Sequence, residues 1–81
     1  MVYHYVYILQ SQNDPNRFYT GQTDNLDERL KLHNQGKCKH TSKYVPWIIK
    51  TATAFTDKKK ALDFEKYLKS SSGRAFTKRH F

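Results

Sequence analysis

The run VYHYVYIL, from Val2 to Leu9, is mostly β-branched and aromatic and contains no Gly, Pro, Asn or Asp. Such a stretch reads as a β-strand, and a central one. It constrains everything that follows, because a chain of 81 residues can bury only a modest core and must build it on this strand. An aromatic share of 15% supplies the side chains for that core and argues against wholesale disorder.

The polar run from Gln10 to Arg17, with Asp14-Pro15 inside it, reads as a hairpin turn. Phe18 to Gly21 is then the returning strand, ended by the glycine, so two antiparallel strands open the fold. Asn25 and Glu28 have the spacing of a capping box, which predicts a first helix from about Asn25 to Gln35, stopped by Gly36. Gly36 to Pro46 is a basic loop, and Trp47 to Phe55 alternates as a third strand. Thr56-Asp57 starts a second helix, Ser70 to Gly73 ends it, and the final RAFTKRHF is a short helical segment with Phe76 and His80 on one side. The order β-β-α-β-α-α implies an α+β fold, a small three-stranded antiparallel sheet flanked by helices, in one domain over residues 1–81.

Two places break the apolar pattern. On the first helix Leu26 and Leu30 mark the apolar stripe, and Arg29 and His33 sit four apart directly beside it. On the second, Ala61, Phe64, Glu65 and Leu68 follow the i, i+3, i+4, i+7 rule, so a carboxylate falls among apolar positions. A charge there is costly unless it is paired or used. One explanation is structural, an Arg29–Glu65 ion pair with His33 a satisfied, half-buried histidine. The tyrosines favour another. Tyr3, Tyr5 and Tyr7 alternate and so share one face of the sheet, and Tyr19 lies on the neighbouring strand. Phenols beside Arg, His and Glu make a polar, proton-exchanging surface that a simple core does not require.

The pattern Tyr5-Val6-Tyr7, then Tyr19-Thr20-Gly21, then Arg29, His33 and Glu65 resembles the GIY-YIG nuclease domain over essentially the whole chain. It is most similar to the small stand-alone bacterial members and to the nuclease module of the excinuclease. The resemblance implies that Tyr7 and Tyr19 are the tyrosines of the two tripeptides, Arg29 the catalytic arginine, His33 the histidine one turn later and Glu65 the carboxylate that holds one divalent cation, Mg²⁺ or Mn²⁺. Two positions depart from the pattern: Tyr5 stands where the first tripeptide has glycine, and Gln22 where the excinuclease module has a lysine. The implied roles suit phosphodiester hydrolysis. Arg29 offers a planar fork to phosphate oxygens, Glu65 suits a hard cation, Tyr7 or Tyr19 can take a proton from water if a neighbouring charge lowers its pKa, and His33 can assist proton transfer or bind phosphate. With a single carboxylate in the pattern, the dense acidic cluster of two-metal nucleases is excluded. Cys38 and His40 lack the further ligands of a zinc site.

The formal charge of +8 fits a polyanionic partner, and apart from Arg17 every Lys and Arg lies from Arg29 onward. Lys37, Lys39 and Lys43 of the basic loop and Lys58, Lys59 and Lys60 are the expected nucleic-acid contacts. The reading is therefore a metal-dependent endonuclease on DNA, with RNA an open alternative, structure-specific and tied to repair or recombination. The alternative is a nucleic-acid-binding module without turnover. A lone cysteine, Cys38, allows no intrachain disulfide, no apolar run approaches a membrane span, and MVYHYVYILQ lacks a signal peptide's charged start, so a cytoplasmic location with no membrane partner is expected.

Overall fold

The computed structural model describes residues 2–81; Met1, the first residue of the expected 1–81 domain, lies outside them. The chain forms β1 (His4–Ser11), β2 (Phe18–Thr23), α1 (Leu26–Asn34), a short 3₁₀ turn at Ser42–Tyr44, β3 (Trp47–Phe55), α2 (Lys58–Leu68) and α3 (Ser71–His80). The three strands make one antiparallel sheet in the order β2-β1-β3. The α+β class, the element order and the central place of the first strand are as the sequence implies.

A central strand needs cover on both faces, and β1 has it. Val6 and Ile8 pack with Ala61 and Leu68 of α2, joined by Phe55, Phe64 and Phe76. Tyr7 and Leu9 point the other way, to Trp47, Leu26, Leu30 and Tyr19. Alternate residues of one strand thus seed two cores, which is why the run shows no polar alternation.

The helix starts follow local capping chemistry. Asn25 accepts from the Glu28 amide at 3.1 Å, Asp57 from Lys59 at 2.9 Å and Ser70 from Gly73 at 3.1 Å. Two sequence boundaries move. The second strand does not end at Gly21 but continues to Thr23, because Gly21 pairs in register with Tyr7. The SSSG stretch is not merely a stop, since Ser70 caps α3 and Gly73 lies inside its first turns. The glycine is there for close approach: a methyl group on Gly73 would lie 1.8 Å from the Tyr67 carbonyl oxygen and 2.5 Å from the Leu68 Cα.

β1 and β3 carry a bulge. Ile8 pairs with Thr51 and Leu9 with Ile49, leaving Lys50 without a partner on β1. Its ammonium sits 5.3 Å from the centroid of the Phe18 ring on β2.

Gly73→Ala tests the close approach. On an open helix surface the change would stabilise by up to ~1 kcal/mol. Here the clash with fixed backbone should win, costing about 2 kcal/mol and lowering the melting temperature by roughly 10 °C, read by thermal circular dichroism.

Candidate active site

Four of the five predicted site residues come together on the α1 side of the sheet. Tyr7 is 1% exposed and His33 fully buried, and the Tyr7 hydroxyl lies 3.0 Å from His33 Nε2. Arg29 donates from Nε to the same hydroxyl at 3.4 Å. The Tyr19 ring sits 4.9 Å from His33 and 6.3 Å from Tyr7, centroid to centroid. Helix spacing brings Arg29 and His33 to β1 together, since Leu26 and Leu30 pack into the core containing Tyr7 and Leu9.

The hydrogen bonds have one consistent direction. Arg29 can only donate, so the Tyr7 oxygen accepts from it and must place its own proton elsewhere. In this buried position the acceptor is His33 Nε2. His33 therefore carries its proton on Nδ1 and donates it to Thr41 Oγ1 at 2.9 Å, and Thr41 donates onward to the Cys38 carbonyl at 3.3 Å. The Trp47 indole closes the arrangement by donating to the Thr41 carbonyl at 2.9 Å.

Burial and the Arg29 charge act on both partners of this network. Burial pushes the Tyr7 phenol above its ordinary 10.0, and the Arg29 hydrogen bond and charge offset only part of that. Tyr7 is therefore unsuited to take a proton from water. His33 is held below 6.5 by burial first and then by the Arg29 charge. It is fully buried, with Tyr7 on Nε2 and Thr41 on Nδ1. Arg29 is raised above the ordinary arginine range, chiefly by its bond to Tyr7, and stays charged. Among the described residues the Arg29 Nη groups and the Tyr19 hydroxyl have no hydrogen-bond partner, and both side chains are only half-buried.

Gly21 explains the Tyr-Thr-Gly tripeptide. A Cβ there would meet the Tyr7 hydroxyl at 2.5 Å and the Tyr19 ring at 3.1 Å, so the phenol lies across this point of β2 only because no side chain is present. Sequence reasoning also missed Thr41, which is 1% exposed and the anchor of the basic loop, and Asn34, whose amide bonds both backbone groups of Trp47 at 2.6 and 3.0 Å. Neither stands at a spacing that local periodicity interprets.

Glu65 does not join the cluster. It lies on α2, against the opposite face of the sheet, and its ion pair is with Lys69 at 3.0 Å, one turn along the same helix. This corrects the Arg29–Glu65 pair and the expectation, implied by the family resemblance, that Arg29, Glu65, Tyr7 and Tyr19 converge on one concave patch of the sheet surface. The sheet stands between the two helices. Among the described residues no group of three or more His, Cys, Asp or Glu is placed to hold a metal. Gln22 donates to Asp24, and Asp24 is held below its ordinary range mainly by its hydrogen bond to His4. Lys37, Lys39 and Lys43 are exposed on the loop, and Lys58, Lys59 and Lys60 at the start of α2. No helix is long and apolar enough to cross a membrane.

The family model of the GIY-YIG catalytic domain matches residues 3–79. The chain belongs to the GIY-YIG family. It is 37% identical to a UPF0213 protein of Bacillus licheniformis over 85% of this chain and 70% of that protein. A UPF0213 protein of Staphylococcus haemolyticus is 36% identical over 89% of this chain and 87% of its own length. A structure-specific endonuclease subunit SLX1 homolog of Giardia intestinalis is 35% identical over 75% of this chain but only 18% of that protein. The solution NMR structure of the UPF0213 protein BH0048 from Bacillus halodurans has a TM-score of 0.56 and 35% identity, covering 94% of this chain and 80% of that one. Membership places the chain in a nuclease family.

His33 gives a pH test. Its folded pKa lies below 6.5, so as pH falls through 6.5 the unfolded chain takes a proton that the folded chain refuses. Stability should fall by up to ~1.4 kcal/mol per pH unit until the folded pKa is reached, and be insensitive to this group above about pH 7.5. Urea midpoints at pH 7.5 and 5.5 should diverge in the parent and converge in His33→Gln.

Proposed function

We propose that this chain is a divalent-metal-dependent endonuclease that hydrolyses phosphodiester bonds in DNA. The observation that carries the reading is Arg29, anchored through Nε on a buried phenol so that both Nη groups are left for two phosphate oxygens, with the unengaged Tyr19 hydroxyl beside the same cluster. A guanidinium oriented in advance stabilises charge as it develops on the phosphoryl oxygens without reorganising during the reaction. The Tyr19 hydroxyl relays the proton of the attacking water: its oxygen takes that proton and gives its own to solvent as the water oxygen bonds phosphorus. The bond from phosphorus to the leaving sugar oxygen breaks, and that oxygen departs with the electron pair and takes a proton from solvent. Tyr7 and His33 do not touch substrate in this scheme. They fix Arg29.

Glu65 fits a single-carboxylate site for a hard cation. Its side chain is 20% exposed, and the Lys69 ammonium already stands on it as a cation would. The other ligand positions fall to water and phosphate oxygens, as Mg²⁺ accepts. Bound there, Mg²⁺ or Mn²⁺ would supply positive charge to phosphate oxygens on the α2 side of the sheet, which Arg29 does not reach. The assignment of Glu65 rests on the family pattern rather than on contact with Arg29. A structure-specific substrate is supported by the likeness to the structure-specific endonuclease subunit homolog of Giardia intestinalis. One observation favours the second reading, binding without turnover: Lys69 occupies the only carboxylate proposed for metal.

Nicking of supercoiled plasmid separates the two. Tyr19→Phe should slow nicking by about 10²- to 10⁴-fold and Arg29→Ala by about 10²- to 10³-fold, without loss of the folded circular dichroism spectrum. A parent protein that binds but never nicks sinks the enzyme reading.

Glu65→Gln should abolish metal-stimulated nicking and also remove any rise in melting temperature that Mn²⁺ gives the parent. In metal-free buffer it loses only a half-exposed i,i+4 pair, so stability should change by no more than about 0.5 kcal/mol.

A further inference from the structure

On the α3 side of β2 lies a groove of about 810 Å³ that the proposed chemistry does not use. Arg17, Lys50, Lys69, Arg74 and Lys78 line it, and no Asp or Glu does. Arg17 and Lys69 have acidic partners in Asp14 and Glu65, whereas Lys50, Arg74 and Lys78 have none among the described residues. Phe18 lines the same groove and is 49% exposed, with the Lys50 ammonium 5.3 Å from its ring centroid.

These features have a common cause in the fold. β2 is an edge strand, so among the described residues no strand pairs along its outer side. The β3 bulge leaves Lys50 out of register with β1, and its ammonium lies over Phe18 two strands away. α3 supplies Arg74 and Lys78 four residues apart, hence on one side of the helix. Tyr19 also lines the groove while its ring stacks near His33, so the groove and the Arg29 cluster meet around the edge of β2.

We propose that this groove holds a single-stranded DNA arm running from the cleavage point. Three unpaired cations match a phosphate backbone, which supplies the charge complementarity. The half-exposed Phe18 decides in favour of a single strand, because an aromatic face can stack an unpaired base whereas the bases of a duplex are already stacked on one another. The proposal rests on the nuclease reading for the direction of the strand, not for its binding. It makes the substrate a branched or flapped DNA, with the duplex at Arg29 and the arm over Phe18.

Binding of a fluorescent 12-nucleotide single strand and of a duplex of equal length, measured in EDTA, tests this independently of turnover. Phe18→Ala should weaken single-strand binding roughly tenfold and duplex binding less than twofold. Arg74→Gln with Lys78→Gln should weaken single-strand binding and reduce its salt slope by about one to two charges. With Mg²⁺ or Mn²⁺ present, both variants should still nick plasmid, but lose any preference for a flapped over a blunt duplex. Single-strand affinity unchanged in both variants would overturn the proposal. So would an equal loss for duplex and single strand in Phe18→Ala, which would make the groove a duplex contact. Failure of the parent to nick, with the single-strand effects intact, would remove the enzyme reading and leave the groove standing.

Discussion

A tyrosine hydroxyl placed where water cannot reach must find partners in the protein, or the fold loses on the order of 1–3 kcal/mol. Tyr7 meets that demand by accepting from Arg29 and donating to His33, and each bond fixes something else. The guanidinium is aimed, the tautomer of His33 is set, and through Thr41 the basic loop is tied to α1. The arrangement needs an opening in the neighbouring strand, and Gly21 is that opening. Removing His33 would leave the Tyr7 proton without an acceptor, whereas among the described residues every buried side-chain nitrogen and oxygen has a partner.

The division of labour between the tyrosines follows from the same constraint. Both belong to tripeptides that look alike in sequence, yet one phenol is spent on structure and the other has no partner. Burial raises the first above its ordinary pKa despite a guanidinium against it. The difference arises because Tyr7 is on the central strand, covered from both sides, and Tyr19 is on the edge. The same edge leaves room for the cationic groove, so the position of β2 governs access to the chemistry and to the second surface alike.

Much of this was legible in the sequence. The uninterrupted run at the start announced the central strand, Asn25 and Asp57 marked two helix starts through bonds to amides two or three residues on, and Arg29 with His33 declared a shared face by spacing alone. These features depend on contacts within about one helical turn, where identity and spacing suffice. Resemblance across the chain then gave the family, because residues far apart keep their order even when their contacts are unknown.

What the sequence could not decide was which distant group each side chain meets. Tyr7 and His33 are 26 residues apart, and their bond exists only once α1 has docked on β1. The sequence suggested Arg29 as the partner of Glu65, but in the tertiary structure Glu65 pairs with Lys69, because α1 and α2 pack on opposite faces of the sheet. Lys50 looked like an ordinary strand residue until the bulge turned it out of register toward Phe18. Local rules fix an element and its ends through short-range bonds. The site and the groove lie between elements, where register, strand order and the face chosen for each helix set the geometry.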